Sequence, residues 1–256
     1  MNQIKMLVSV IIITLNEENN IKEVIQSVKS ASQLNGTISS DIEIILSDGG
    51  STDKTVDIAK NLVDRVIKSP KGKYNQLNYG AKSAIGKYLL FLHGDTLLPP
   101  HAILKIKHLL KNPGILAGGF KKSWNWDSKD NTLSYIHVFR KFWEGLGNWL
   151  VILLKTFPGD NAFFIRKEIF EVLNGFSPIL ICENLDLIRR LKNFIRNNCG
   201  KIQYINSTVK TSARRLEKFG LIQVISRWFL IYWLWRLGLS YPKLNVKYKK
   251  LHHLNY

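Results

Sequence analysis

Leu7-Val-Ser-Val-Ile-Ile-Ile-Thr14 is a short, β-branched, apolar run, and Asn16-Glu17-Glu18-Asn19 follows it at once. A run of that length and composition reads as a strand buried on both faces. The polar residues after it supply capping groups and acids for a helix start, and Ile21, Val24, Ile25 and Val28 then recur at helical spacing. The alternation continues along the first hundred residues. Asp41-Ile-Glu-Ile-Ile-Leu46 reads as a second strand, and Ser47-Asp-Gly-Gly-Ser-Thr-Asp53 as a turn whose Thr52 or Asp53 caps a helix through about Leu62. Arg65–Lys68 reads as a third strand, a helix spans about Tyr74 to Ile85, Lys87–Leu92 is a fourth strand, and Pro99-Pro100 opens another helix. Strand and helix in alternation predict a parallel sheet with right-handed crossovers. Ligands of such sheets bind beyond the carboxyl ends of the strands. Those ends carry Thr14–Glu17, Asp48–Asp53 and His93–Asp95.

After residue 114 the pattern loosens. Ala117–Phe120 reads as a strand, Lys121–Asp130 as a polar loop carrying Trp124 and Trp126, and residues 133–157 as an apolar helix. Phe163–Leu173 reads as strand then helix, and Leu185–Ile195 as a basic amphipathic helix. Leu221–Leu239 is almost continuously apolar, broken by Gln223, Ser226, Arg227 and Arg236. An arginine inside a spanning helix costs about 2.5–3.5 kcal/mol on insertion scales. Arg227 and Arg236 also fall on opposite sides of a helix, so spanning is disfavoured. Two readings stay open: packed core, or in-plane association with a membrane through Trp228, Trp233 and Trp235.

Composition excludes several classes. In 256 residues, 45% are hydrophobic and 22% charged, the balance of a globular chain of one large or two small domains. That is no disordered tail, collagen-like fibre or disulfide scaffold. Lys and Arg number 37 against 19 Asp and Glu, a net charge of +18. Residues 1–100 hold 11 basic and 10 acidic residues, whereas residues 101–256 hold 26 and 9. The second half is therefore suited to an anionic partner: a nucleic acid, a phosphorylated substrate or a membrane surface. A genome rich in Lys and Asn codons would produce part of the same excess. No nucleic acid is expected, because there is no recognisable DNA-reading motif and the aromatics cluster with aliphatics rather than alternating with basic residues. Two cysteines, Cys182 and Cys199, make no disulfide framework, which favours a reducing cytoplasm. Met1 leads straight into the first strand with no small-residue cleavage site, so no signal peptide is expected.

Two strand-end clusters carry chemistry. Asp48-Gly-Gly-Ser-Thr-Asp53 offers a carboxylate for a base N–H or a ribose hydroxyl, with glycines that permit close backbone approach. The same residues also suit an ordinary turn before a capped helix. His93-Gly94-Asp95 places an acid past a buried strand, where it can hold a divalent cation that neutralises a diphosphate, or simply cap a helix.

The order of these pieces resembles family 2 glycosyltransferases of the GT-A fold. The matching stretches are Ser9–Glu17, Asp48–Asp53, Gln76-Leu-Asn-Tyr-Gly-Ala81, Gly86–Asp95, Gly159–Arg166, Gly175-Phe176, Glu183–Leu187, Arg189–Leu191 and Thr211–Arg215. The whole set is similar to a bacterial subgroup found near radical-SAM and arsenosugar-type genes. The resemblance implies an α/β GT-A fold: a Rossmann-like, mostly parallel sheet flanked by helices, with a helical, basic and aromatic C-terminal region. It divides the chain into a transferase domain over residues 1–218, with a nucleotide-binding half to about 112 and an acceptor half after it, and an extension over 219–256.

It further implies transfer of a sugar from a nucleoside diphosphate sugar, with inversion, assisted by Mg2+ or Mn2+. Thr14, Asn16 and Glu17 would line the nucleoside pocket, Asp48 would read the base, and Lys73, Gln76 and Asn78 would line nucleotide and sugar. His93 and Asp95 occupy the metal motif, with His93 where many relatives have an acid. Asp160 would touch donor sugar or acceptor. Arg214 and Arg215 would hold the leaving diphosphate, or else belong to a solvated basic surface. Relatives carry Glu-Asp where this chain has Glu183-Asn184. Asn cannot act as a general base, so the base is Glu183, or Asp186 as runner-up, or the chain is an impaired relative that binds donor without turnover. The expected acceptor is lipid-linked or phosphorylated, and the expected location cytoplasmic, with a peripheral place on the inner face of the membrane as the variant.

Overall fold

The computed structural model describes residues 7–34, 37–38, 41–126, 134–157, 159–179 and 181–237. Among them the first half runs β1 (Val8–Thr14), α1 (Ile21–Ala31), a small hairpin of β2 (Gln33–Leu34) and β3 (Thr37–Ile38), β4 (Ile42–Asp48), α2 (Thr55–Ala59), β5 (Arg65–Lys68), α3 (Lys73–Ser83), β6 (Tyr88–His93), β7 (Thr96–Leu97) and α4 (Ala102–Leu110). The second half runs β8 (Ile115–Asn125), α5 (Ser134–Leu154), a single 3-10 turn at Gly159–Asn161, β9 (Phe163–Arg166), α6 (Lys167–Val172), α7 (Glu183–Asn197), β10 (Lys201–Ser212), α8 (Arg214–Phe219) and α9 (Leu221–Arg236).

Eight strands form one mixed sheet in the order β5-β4-β1-β6-β9-β8-β10-β7. β5, β4, β1 and β6 are mutually parallel, and the register sets Thr14 beside Asp48 and Ile13 beside His93. The three strand ends expected to carry the site therefore lie next to one another on one edge. β1 is apolar at nearly every position because both of its faces are covered. Val8, Val10 and Ile12 pack with α1 and α4, whereas Ile11 and Ile13 pack toward α3 and α7.

The parallel expectation holds for the first four strands and gives way at β9, which runs antiparallel to both β6 and β8. The expected polar loop from Lys121 is in part strand: β8 continues to Asn125, and residues 127–130 of that loop lie outside the described residues. The physical reason is a distant partner. β10, which the local pattern does not announce, pairs Thr208 through Ser212 with Lys121 through Asn125 and supplies the ladder for those polar residues. Gly118 lets β8 pass close to both neighbours, since a Cβ there would lie 2.0 Å from the Gln203 carbonyl and 2.5 Å from the Phe164 ring. The helix expected to reach Leu62 stops at Ala59, because Asp64 turns the chain into β5 by accepting the Ile44 amide at 2.7 Å.

Candidate active site

Two loops at the carboxyl ends of β1 and β4 are locked together. Asn16, with a left-handed φ of 55°, accepts the Thr52 amide at 2.8 Å through its side chain, and its own amide donates to the Ser51 hydroxyl at 2.9 Å. Asp48 accepts the Gly50 and Ser51 amides, both at 2.9 Å, and the Ser51 hydroxyl at 2.5 Å. Three of its roughly four acceptor positions are thus used to shape the turn. Gln76 reaches up from α3 and donates to the Thr14 carbonyl at 2.6 Å and the Ser47 carbonyl at 3.2 Å. The Thr14 hydroxyl is buried with no hydrogen-bond partner among the described residues. An orphan polar group at a cleft edge is the kind of atom a ligand satisfies.

The second cluster joins β6, α3, the 3-10 turn, α7 and α8. Half-buried His93 stands in the field of Lys73, Asp95, Asp160 and Arg215. Burial first, then the Lys73 and Arg215 charges, push its pKa down to about 4 against the pull of the two carboxylates, so the ring is neutral at pH 7. Asp160 pairs with Lys122 at 2.7 Å. Burial works against its charge, but Lys122, His93 and Lys73 hold its carboxyl below the usual carboxylate range. Glu183, the first residue of α7, is 6% exposed. Burial pushes its carboxyl up, Asp160 adds to the rise, and Lys73 opposes it. Lys73 and Asp160 thus influence both His93 and Glu183.

Arg214 ties the two loops to β6. Its guanidinium grips both oxygens of Glu17, one of them at 3.0 Å, and lies 3.4 Å from Asp95. Glu17 is accordingly engaged by Arg214. The close passage of β6 beside β1 depends on Gly94, where a Cβ would meet the Glu17 and Thr14 side chains at 3.2 Å.

Two of the anticipated residues face elsewhere. Asn78 clamps the Phe176 main chain in both directions, at 2.8 and 2.9 Å. Asp186, 2% exposed, accepts the Ser177 hydroxyl at 2.6 Å and is paired with Arg189 and Arg190, both at 2.9 Å. α7 begins two residues earlier than its periodicity suggests, so Asn184 lies inside the helix, buried, with its carbonyl oxygen unpartnered among the described residues.

Sequence reading missed Lys122, which it assigned to a loop. Lys122 holds Asp160 and lies 5.1 Å from the Trp124 ring and 5.3 Å from the Trp228 ring. The alternation of Lys122, Trp124 and Trp126 could have signalled a strand, but no local signal points from Lys122 to Asp160.

A divalent cation can be tested against this donor set. Among the described residues no three His, Cys, Asp or Glu side chains converge as a complete cage. Asp95 and neutral His93, at one strand end, are two residues that would serve as ligands. That fits a cation which takes its remaining ligands from water and substrate phosphates, as Mg2+ commonly does.

A mixed sheet with polar and charged side chains gathered at the carboxyl ends of its parallel strands is the architecture of GT-A proteins. The fold aligns with a mannosyltransferase of Pyrobaculum calidifontis, solved with GDP-Man and Mn2+, at TM-score 0.62 and 18% identity over 80% of this chain and 56% of that one. It aligns with the glucosyl-3-phosphoglycerate synthase of Mycobacterium tuberculosis, solved with Mn2+, UDP and glucosyl-3-phosphoglycerate, at TM-score 0.59 and 23% identity over 91% and 81%. The chain belongs to glycosyl transferase family 2, whose profile matches residues 9–173. An uncharacterized glycosyltransferase of Rickettsia typhi is 36% identical over 182 residues, 68% of this chain and 54% of that protein. A glycosyltransferase of Mycobacterium bovis named for PGL/p-HBAD biosynthesis is 45% identical over 65 residues, 23% and 25% of the two chains. The chain spans 54–55% of the length of its two longer curated matches and 25% of the shorter one.

Proposed function

We propose that this chain transfers a sugar from a nucleoside diphosphate sugar to an acceptor hydroxyl, with inversion at the anomeric carbon. The observation that carries the reading is Glu183: a buried carboxyl held above its usual range, sharing Lys73 and Asp160 with a strand-end His-Gly-Asp motif. A base must be basic enough to take a proton and ionisable near neutral pH, and burial moves a carboxyl in that direction. Glu183 takes the acceptor proton on a carboxylate oxygen. The hydroxyl oxygen attacks the anomeric carbon, and the bond to the diphosphate oxygen breaks with its electron pair leaving on the diphosphate. One direct displacement inverts the centre. Lys73, Arg214 and Arg215 offset the leaving charge, and Thr14, Asn16 and Asp48 seat the nucleoside. Lys122 orients Asp160 toward sugar or acceptor. Asp95 and His93 are the residues that would hold Mg2+ or Mn2+, which would add Lewis-acid neutralisation of the diphosphate. The narrower kinship with transferases near radical-SAM and arsenosugar-type genes rests on motif order.

The test is a thermal-shift panel of UDP-, GDP- and dTDP-sugars with and without Mn2+, because a ligand that binds only the native state raises Tm. The expected result is one base class that stabilises, more so with Mn2+, followed by release of nucleoside diphosphate. Failure of every donor to stabilise would sink the reading. Asn184 favours a second one, an impaired relative: a buried carboxamide with an idle oxygen stands beside the base. Donor stabilisation without release across hydroxyl acceptors would select it.

A further inference from the structure

The transfer cleft occupies one edge of the sheet, but most of the exposed large hydrophobic side chains among the described residues lie on two helices outside it. Among the described residues, thirteen of the seventeen exposed large hydrophobics belong to α5, α9 or Leu237 just beyond α9. On α5, Val138, Phe142, Trp149 and Leu153 are exposed and fall within about 60° of one another on a helical wheel. On α9, Ile222, Phe229, Trp233 and Leu237 fall within about 80°. The inner face of α9 is accounted for: Ile231 and Trp235 pack on Ile181 at the approach to Glu183, and Trp228 stacks on Trp124 with 6.4 Å between ring centroids. Among the described residues no core cluster packs on the outer face.

The two helices share a groove at one end and a cluster of cations at the other. At one end, Phe139 and Arg140 of α5 and Leu221 to Gln223 of α9 flank an open groove of about 900 Å³ that Trp126 and Phe219 also line. This groove shares α8 with the transfer cleft, since Arg214 and Arg215 begin that helix and Phe219 ends it. At the other end, Lys155 after α5 and Arg236 of α9 crowd Lys192 and Arg196 of α7. The Lys192 ammonium, which donates to the Leu154 carbonyl, is held below the usual lysine range by burial and then by the other three charges. None of the four makes a salt bridge to a carboxylate among the described residues. Uncompensated cations beside an aromatic-rich face match an anionic lipid surface: aromatic rings seat at the headgroup level, and Lys and Arg answer its charge. Among the described residues no helix is long and apolar enough to cross a membrane, so the geometry calls for a helix pair lying in the interface.

We propose that the outer faces of α5 and α9 together dock on an anionic lipid bilayer, with the groove between them opening onto it. Resting on the transfer reading above, this makes the acceptor a hydroxyl carried by a lipid, whose apolar chain the groove receives and whose head reaches Glu183.

Vesicle flotation tests this without any donor. The probes are phosphatidylcholine vesicles with and without 40% phosphatidylglycerol, at about 0.1 M salt, where the Debye length is about 10 Å. The full chain is expected to float with the anionic vesicles at least tenfold more tightly than with neutral ones. The variant Trp149→Glu with Phe229→Glu is expected to lose at least tenfold with its Tm unchanged. Each Lys or Arg near such a surface is worth about fivefold, so Lys155→Glu with Arg236→Glu is expected to remove the anionic preference. The proposal is overturned if the chain stays with the soluble fraction, if flotation is indifferent to both variants, or if the chain is a dimer that Phe229→Glu dissociates, since a second copy then covers the face. Donor thermal shifts measured without vesicles report on the transfer reading separately.

Discussion

Replacing Glu183 by Gln keeps the shape of the side chain and removes only its capacity to take a proton. Losing a general base costs about 10²–10⁴-fold in rate, or about 2.7–5.4 kcal/mol of barrier at 1.36 kcal/mol per tenfold. Stability should move the other way. The folded protein holds the Glu183 carboxyl above its ordinary value of 4.5, because burial and Asp160 outweigh Lys73. The native state therefore binds this proton more tightly than the unfolded chain. That costs stability as pH rises from the ordinary glutamate range through the raised value, and the full cost persists at higher pH. Glu183→Gln should leave Tm unchanged near pH 4 and raise it at pH 8. In the wild type, kcat/KM should climb with pH through the raised pKa, since only the ionised carboxylate accepts the acceptor proton. The assay pairs nucleoside diphosphate release with differential scanning fluorimetry across pH, and the donor-induced Tm shift checks that donor affinity is intact. Full turnover in the variant would make this carboxylate structural. Lost turnover accompanied by a Tm drop of several degrees at pH 8 would attribute the loss to the fold instead.

Asp95→Asn should abolish Mn2+-dependent donor binding while Tm without ligand stays near wild type, and calorimetry showing unchanged metal-dependent affinity would remove Asp95 from the site. Asn184→Asp should leave turnover unchanged or raise it, while lowering Tm because it buries a third carboxylate in α7, next to Glu183; a gain from a silent parent would mark the natural chain as impaired. Asp186→Asn should cost about 3 kcal/mol, because it strands the Arg190 guanidinium beside a buried position. Turnover at permissive temperature should survive that change, and a loss like that of Glu183→Gln would return Asp186 to the base role. Although burial opposes its charge, Ser177, Arg190 and Arg189 hold the Asp186 carboxyl low. Its stabilisation is therefore present above the ordinary carboxylate range and fades as pH falls through the lowered value, so denaturant titrations should show the gap to the variant closing in acid.

What the sequence determined by itself was local and periodic. The run Val8–Thr14 specified a two-faced strand because five of its seven residues are apolar and β-branched, and the strand period sends alternate side chains to opposite layers. The turn Asp48–Asp53 was legible because its Asp, Gly and Ser groups satisfy their own backbone within a few residues. Position at a strand end was enough to nominate His93, Asp95 and Glu17, since parallel strands bring their carboxyl ends to one edge. Tertiary structure decided everything that depends on partners far along the chain. Lys122 belongs to a strand because β10 pairs with it from more than eighty residues away, and it meets Asp160 because β9 inserts antiparallel between β6 and β8. Asn78 is held on the Phe176 main chain by a contact spanning 98 residues. Asp186 was taken up by Arg189, Arg190 and Ser177 while Glu183 was left buried and underpaired, a difference set by where the first turn of α7 meets the cleft. Motif spacing names candidate carboxylates, but burial and the charges around each one fix its protonation, and those exist only once the chain has closed on itself.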